Sequence, residues 1–236
     1  GGTRTLNTRL AGSRANDQVR SDAVSLLANG NYVVPSPDWD NGAILDAGAA
    51  TWGKAAGGAT GIVTLTNSLV GSTTNDRVGL GGATALTNGN YVVVSYGWNN
   101  DTITNTGAVT WGSGAYGITG TVTATNSFVG STSNDQAGSG GVTALTNGNY
   151  VVRSPAWDNG SEVDAGAATW GNGTAGSAGA ITAANSLVGS KAGDRIASSA
   201  VTALADGNYV VASRYWDGAA TDAGAATWGN GATGIA

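Results

Sequence analysis

Residues 86–100 read LTNGNYVVVSYGWNN, and three further copies of this phrase are spread along the chain. The copies are LANGNYVVPSPDWDN at 27–41, LTNGNYVVRSPAWDN at 145–159 and LADGNYVVASRYWDG at 204–218. The tyrosine of each copy lies 59 residues after the previous one, and four such periods account for all 236 residues. A fixed period of this kind is typical of solenoids, propellers and modular arrays.

One period reads as four short strands joined in sequence: strand A is ATALT (83–87), strand B is NYVVVSYGW (90–98), strand C is AVTWG (108–112) and strand D is TVTATNSFVG (121–130). The Asn-Gly pair between strands A and B favours a type I′ turn, whose twist suits antiparallel strands. Tight hairpins argue against a solenoid of parallel coils. The period therefore predicts an antiparallel four-stranded meander.

Four such meanders arranged radially would form an all-β, four-bladed β-propeller, an architecture that keeps sheet edges short and protected. We predict a single domain over 1–236, with repeats at approximately 1–59, 60–118, 119–177 and 178–236. The sequence begins within a D strand and ends after a C strand, so we expect the N-terminal strand to complete the last blade as a velcro closure. A monomer is favoured, and a dimer that closes an eight-bladed ring is the alternative.

The order of features in NDQAGSGGVTALTNGNYVVRSPAWDNGSEVDAGAATWG (134–171) resembles FG-GAP blades of integrin-type propellers. In that family the turn between strands A and B is a calcium loop rich in carboxylates. Here the turn is TNGN, ANGN or ADGN, and calcium requires six to eight oxygen ligands. The resemblance therefore implies the fold but no calcium, and we predict no cofactor and no metal site. The repeats are also similar to tandem repeats of large secreted bacterial haemagglutinin-type and adhesin proteins, which implies a cell-surface location.

Composition excludes several classes of function. The chain has no Cys, His or Met, so disulfides, thiolate sites and histidine-based catalysis are excluded. Its net charge of −5 and pI near 4.4 argue against nucleic-acid binding, which needs a basic face. No apolar run approaches the roughly 18 residues of a membrane span, so membrane insertion is not expected. The opening Gly-Gly in place of Met suggests a processed or excised segment.

The candidate ligand-binding residues are the tryptophan and the polar residue after it in each B–C loop. An aromatic face beside a carboxylate or amide can hold a sugar ring. The two residues before each tryptophan differ between repeats, as in a diversified binding surface. The alternative is that each ring fills the gap between neighbouring blades. The candidate residues are Trp39, Asp40, Trp98, Asn99, Trp157, Asp158, Trp216 and Asp217.

Other recurrent residues have structural interpretations beside functional ones. We expect a second tryptophan series, which lies in strand C, to pack between sheets; it comprises Trp52, Trp111, Trp170 and Trp228. One aspartate recurs in every repeat, at Asp17, Asp76, Asp135 and Asp194. We expect these carboxylates to form Asx-type turns or to bond backbone amides, and a cation site is the alternative. The first repeat is basic, since it carries Arg4, Arg9, Arg14 and Arg20. This charge marks either a docking face for an acidic neighbour or a solvated strand edge.

Together these observations predict a non-enzymatic structural or adhesive module of a secreted or cell-surface bacterial protein. Its expected partners are other repeats or surface proteins. The alternative is a multivalent carbohydrate-binding lectin that uses the Trp-Asp loops. A glycosidase would need paired carboxylates in an asymmetric site. The single glutamate, Glu162, lies in a polar loop, so we expect no enzyme.

Overall fold

The computed structural model describes residues 9–19 and 24–235, and these residues are all-β. No helix in these ranges is long and apolar enough to cross a membrane. The strands are β1 (Leu10–Ala11), β2 (Ser25–Leu26), β3 (Tyr32–Ser36), β4 (Ala49–Gly53), β5 (Gly61–Ile62), β6 (Ser68–Val70), β7 (Ala83–Ala85), β8 (Tyr91–Ser95), β9 (Ala108–Gly112), β10 (Gly120–Thr121), β11 (Ser127–Val129), β12 (Gly141–Ala144), β13 (Tyr150–Ser154), β14 (Ala167–Gly171), β15 (Gly179–Ala180), β16 (Ser186–Val188), β17 (Ala200–Ala203), β18 (Tyr209–Ser213) and β19 (Ala225–Gly229).

The first three sheets contain the predicted antiparallel meander in the order A, B, C, D. The first sheet is β2-β3-β4-β6, the second is β7-β8-β9-β11 and the third is β12-β13-β14-β16. The fourth sheet has three strands, β17-β18-β19, so strand β19 forms its edge. Strand C matches the sequence prediction residue for residue at Ala108–Gly112.

The turn between strands A and B differs from the predicted type I′ hairpin. Gly89 has a φ of 88°, but Asn88 is not among the residues with positive φ, and type I′ requires positive φ at both. The amide of Gly89 donates to the carbonyl of Leu86, and the amide of Leu86 donates to the carbonyl of Asn90. The loop is therefore a three-residue type I turn followed by glycine in the left-handed region, as in a G1 bulge.

The predicted D strand is two strands separated by a turn. Asn67 causes the break, because its Oδ1 accepts the amide of Thr64 at 2.9 Å and its Nδ2 donates to the carbonyl of Ile62 at 2.9 Å. The first segment pairs in parallel with the D strand of the preceding period: β5 with β1, β10 with β6, and β15 with β11. The second segment pairs antiparallel with strand C of its own sheet. Each period is thereby joined to the previous one by backbone hydrogen bonds.

Neighbouring sheets pack face to face, because alternate residues of each strand point to opposite faces. Val33 and Leu69 of the first sheet share a buried cluster with Tyr91 and Val93 of the second. The same arrangement recurs between the second and third sheets and between the third and fourth. We call the face toward the following sheet the forward face and the opposite one the backward face.

The sheets are not closed into a propeller. The predicted velcro closure is not found, because β1 pairs in parallel with β5 and no described strand pairs with the outer edge of β19. Among the described residues, inter-sheet contacts of strand A run only between successive sheets, through β2 and β7, β7 and β12, and β12 and β17. The beginning of the predicted N-terminal D strand lies outside the described residues.

Candidate binding groove

The Trp-Asp loops do not present aromatic platforms. Trp39, Trp98 and Trp157 are only 3–4% exposed, and their rings pack into the hydrophobic clusters between sheets. Trp216, in the fourth sheet, is half-buried against the same kind of cluster. Of the two interpretations of these rings, Trp39, Trp98 and Trp157 follow the one in which each ring fills a gap between neighbouring units, and their burial corrects the expectation of exposed sugar-binding rings at these three positions. The indole N–H groups of the three buried rings have no hydrogen-bond partner among the described residues.

The polar residue after each tryptophan holds the B–C loop in shape. Oδ1 of Asp40 accepts the amide of Asp46 at 2.9 Å, and Oδ1 of Asp158 accepts the amide of Asp164 at 2.9 Å. Asn99 bonds the amide of Asn105 in the same way, and Asp217 bonds that of Asp222. The residues whose amides donate these bonds lie in the left-handed region, which Asp and Asn tolerate well.

The aspartate series confirms the predicted bonds to backbone amides. Asp76 is fully buried, and its Oδ2 accepts the amides of Ser72 and Thr73 at 2.8 Å each. Its Oδ1 accepts the amide of Asn99 at 3.1 Å, in the following B–C loop. The same pattern recurs at Asp17, Asp135 and Asp194. No cluster of acidic residues within 9–19 and 24–235 has the spacing to hold a metal ion.

The connector after each D strand lies against the B–C loop of the same sheet. The amides of Arg77 and Val78 donate to the carbonyls of Asp46 and Ala47, both at 3.0 Å. Because each aspartate of the series sits in this connector and also bonds the following B–C loop, the connectors and B–C loops form one continuous side of the stack. On this side, hydrogen bonds that recur in every repeat hold loops in which the residues before the tryptophan differ between repeats.

Two clefts open along this side, one period apart. The cleft between the third and fourth sheets has a volume of about 340 Å³ and is lined by Pro155, Asp164, Arg195, Arg214 and Tyr215 among others. The other cleft lies between the B–C loop of the second sheet and the connector after the first sheet; it has a volume of about 290 Å³, with Arg77, Tyr96, Asn105 and Gln136 in its lining. Four positions of this cleft have equivalents in the lining of the larger one, at 96 and 155, 97 and 156, 105 and 164, and 136 and 195, so we refer to the two clefts together as the groove.

Charge in the groove is concentrated at its fourth-sheet end. Arg195 forms an ion pair with Asp164, with Nη2 and Oδ2 2.8 Å apart. The guanidinium of Arg214 stacks on the ring of Tyr215, with its carbon 4.3 Å from the ring centroid. At the first connector the ion pair between Arg77 and Asp46 is longer, at 3.8 Å. This end of the groove therefore offers two arginines and an aromatic ring to a partner.

The second tryptophan series forms the junctions on the opposite side of the stack. Three N–H groups of the first sheet converge on one carbonyl of the second: Asn29 Nδ2 at 2.8 Å, Asn31 Nδ2 at 2.8 Å and Trp52 Nε1 at 3.1 Å, all to Gly114. We call this arrangement the three-donor pocket. It recurs around the carbonyls of Gly173 and Gly231. The prediction that these tryptophans pack between sheets is confirmed in the first three sheets, where the side chains are half-buried, but not for Trp228, which is 54% exposed.

The tyrosine that opens each strand B is buried at the same junctions. Burial raises the pKa of Tyr209 to about 12, and raises the pKa values of Tyr91 and Tyr150 further. A nearby backbone amide offsets part of each shift, although none of these three hydroxyls has a partner in normal hydrogen-bond geometry. In the first sheet, by contrast, the hydroxyl of Tyr32 accepts the amide of Ala59 at 2.7 Å.

Sequence reasoning located the variable dipeptides of the groove but missed its connector residues, Arg77, Gln136 and Arg195. It also missed the three-donor pocket. The signal for the pocket was present, because Asn29, Asn31 and their equivalents recur with the same period as the tryptophans. Their distance along the chain from the accepting glycine, 82–85 residues, hid the relation.

Fold and junctions define an all-β tandem-repeat protein with about 59 residues per period. The chain belongs to the family described as a repeat of unknown function, DUF5650, which matches residues 26–80, 85–139, 144–198 and 203–236. Successive matches begin 59 residues apart, in agreement with the period of the sheets. A comparison with curated proteins found no match.

Proposed function

We propose that this chain is a non-enzymatic structural and adhesive module of a secreted or cell-surface bacterial protein, and that it binds a protein partner along the groove. The observation that carries the proposal is the contrast between a constant framework and a variable lining. Each B–C loop is held by the same aspartate and asparagine bonds, whereas the residues before its tryptophan change from sheet to sheet.

The groove chemistry fits an extended protein segment better than a small molecule. Its two clefts are open and repeat along the stack rather than forming one enclosed cavity. Arginine and tyrosine are enriched at protein interfaces because they combine apolar contact with hydrogen bonding. Arg195, Arg214 and Tyr215 together favour a segment that carries carboxylates.

The groove can be tested with a displayed library of random peptides selected on the immobilised 236-residue protein. Selected peptides should contain acidic residues and should bind an R195A/R214A variant at least about tenfold more weakly, since two charged contacts are lost. Tyr116→Ala is the matched control, because Tyr116 is 86% exposed in the loop at the opposite end of strand C. Selected peptides that bind the wild type and the double arginine variant equally would refute the groove as the site.

Carbohydrate binding remains the alternative function, but three of its four proposed tryptophans are buried. A lectin would need surfaces other than the rings of Trp39, Trp98 and Trp157. A glycan array probed with the wild-type chain decides between the two proposals. Specific glycan binding that competes with selected peptides would support the lectin, and an array without binding would support the protein-binding module.

We also propose an open stack in place of the four-bladed ring. A closed ring would need the first and last sheets to meet, and the described strands include no such pairing. Solution scattering distinguishes the two shapes, because a stack of four sheets about 10 Å apart is elongated whereas a propeller is nearly isometric. A maximum dimension as small as that of a nearly isometric particle of this mass would favour the ring.

A further inference from the structure

Among the described residues, no following sheet covers the forward face of the fourth sheet. Trp228 is 54% exposed there, whereas its three equivalents are half-buried. Ala226 is exposed and Val210 is half-buried, although Ala168 and Val151 at the same positions of the third sheet are 0–1% exposed. The internal junctions show what fits such a face: the backward face of another sheet of this family.

The three-donor pocket on this face differs from the internal ones in one residue. Asp206 replaces the asparagines at 29, 88 and 147, so a carboxylate oxygen stands where the others place an N–H donor. Asn208 Nδ2, which would otherwise reach across the junction, donates to Asp206 Oδ2 at 2.9 Å. The amide of Asn208 also donates to this carboxylate and holds the pKa of Asp206 below its usual value. The face therefore presents a negative charge at the point where internal junctions receive a neutral carbonyl.

The complementary charge lies on the backward side of the first sheet. Ala55 occupies the position of Gly114, since its amide donates to Asn31 Oδ1 at 3.0 Å as that of Gly114 does to Asn90. The residue before it is Lys54, which is exposed, whereas the equivalent residues Ser113, Asn172 and Asn230 are neutral. The two substitutions that distinguish the outer faces from the internal junctions are thus of opposite charge and fall at adjoining positions.

The strand edges at these two faces are complementary as well. β19 is a C strand without a D strand beside it, and β1 is a D strand whose only described partner is β5. In the internal sheets strand C pairs with strand D, as Ala50 does with Leu69 and Ala49 with Val70. In the same register Ala226 would pair with Leu10, and Ala225 with Ala11.

We propose that the forward face of the fourth sheet binds the backward face of the first sheet of a second copy of this chain, with Asp206 paired to Lys54 of that copy. The junction reproduces the internal ones, except that a charge pair replaces a neutral contact. The charge pair favours this junction over pairings that are out of register. In the proposed junction the carboxylate of Asp206 meets the ammonium group of Lys54, whereas at an internal junction it would meet a carbonyl oxygen that repels it. Repetition of the contact produces a head-to-tail filament rather than a closed ring.

Sedimentation of the 236-residue protein over about 1–500 µM tests the proposal. The average mass of the wild type should rise with concentration, and D206K and K54D should each weaken association at least about tenfold by placing like charges together. The D206K/K54D double variant should regain the wild-type affinity. An equimolar mixture of the two single variants should also associate, although neither does so alone. D101K is the control, because Asp101 is exposed in a B–C loop away from this junction.

Both substituted residues are exposed, so the variants should melt at the wild-type temperature and their association can be compared directly. A wild type that stays monomeric throughout the range would overturn the proposal and leave the face to a different partner. Association that both single variants retain would overturn the role of the charge pair. Restored association in the double variant would establish the contact between Asp206 and Lys54.

Discussion

Replacement of Asp135 by asparagine tests the idea that one buried carboxylate holds two periods together. Asp135 is fully buried and accepts five hydrogen bonds, the longest of them from the Ser131 hydroxyl at 3.5 Å. Its Oδ2 takes the amides of Ser131 and Thr132 at 2.6 and 2.8 Å, and its Oδ1 takes the Thr132 hydroxyl at 2.6 Å and the amide of Asp158 at 3.0 Å. An asparagine of the same shape has one acceptor oxygen where the carboxylate has two.

The best orientation of the new amide keeps its oxygen toward the two connector amides. Its NH₂ group then faces the Thr132 hydroxyl, which can rotate to accept, and the Asp158 amide, which cannot. One charge-assisted bond worth about 1.5–3 kcal/mol is lost, and two others are reduced to neutral bonds. We therefore expect a loss of about 3 kcal/mol in the free energy of unfolding, which lowers the melting temperature of a chain of this size by about 6–12 °C.

Thermal unfolding followed by circular dichroism measures this effect. Asp101→Asn is the matched control, because it is the same chemical change at an exposed position in the adjoining loop and should alter stability by less than about 0.5 kcal/mol. A melting temperature for D135N within about 2 °C of that of D101N would refute the reasoning, since the buried bonds would then contribute no more than a surface carboxylate.

Two further predictions concern the junctions. W170F should cost about 1 kcal/mol, because it removes the N–H group that donates to Gly231 at 2.9 Å, whereas W228F should leave the melting temperature unchanged because that indole faces no following sheet. Stability should fall as the pH rises above 10 toward 12, because buried tyrosines with raised pKa values keep protons that the unfolded chain releases. Melting curves from pH 8 to 11.5 should show this decline. A variant with phenylalanine in place of Tyr91, Tyr150 and Tyr209 should show a smaller decline.

The sequence predicted the local sheet well because period, alternation and turn residues are all local signals. Strand C was placed without error, and the aspartate series was correctly assigned to backbone amides. The hairpin type was wrong because Asn-Gly serves both a two-residue and a three-residue loop, and Leu86 decides between them through its bond to Asn90. The break in strand D was missed because Asn67 acts through side-chain bonds that a strand pattern does not show.

The relation between sheets could not be read in the same way. A repeated sequence specifies that the same rotation and translation relate each sheet to the next. The size of that rotation depends on which sides of the sheets make contact. For the same reason, the Trp-Asp loops were correctly placed at equivalent positions, but two interpretations of their rings stayed open, a sugar-binding surface and the filling of the gap between neighbouring units. An aromatic residue in a turn is compatible with either a platform or a core residue until the neighbouring sheet is positioned.

Contacts on both edges of the sheets favour the proposed open stack over a ring. A propeller fans out, so its blades meet near the axis and separate at the rim. Here strand A of one sheet reaches the next through the Thr87 hydroxyl, which donates to Leu145 at 2.7 Å. At the opposite edge β10 pairs with β6, so the D strands stay in hydrogen-bonding contact too. With both edges joined, neighbouring sheets are held together across their whole width, which favours the proposed stack over a fan of blades.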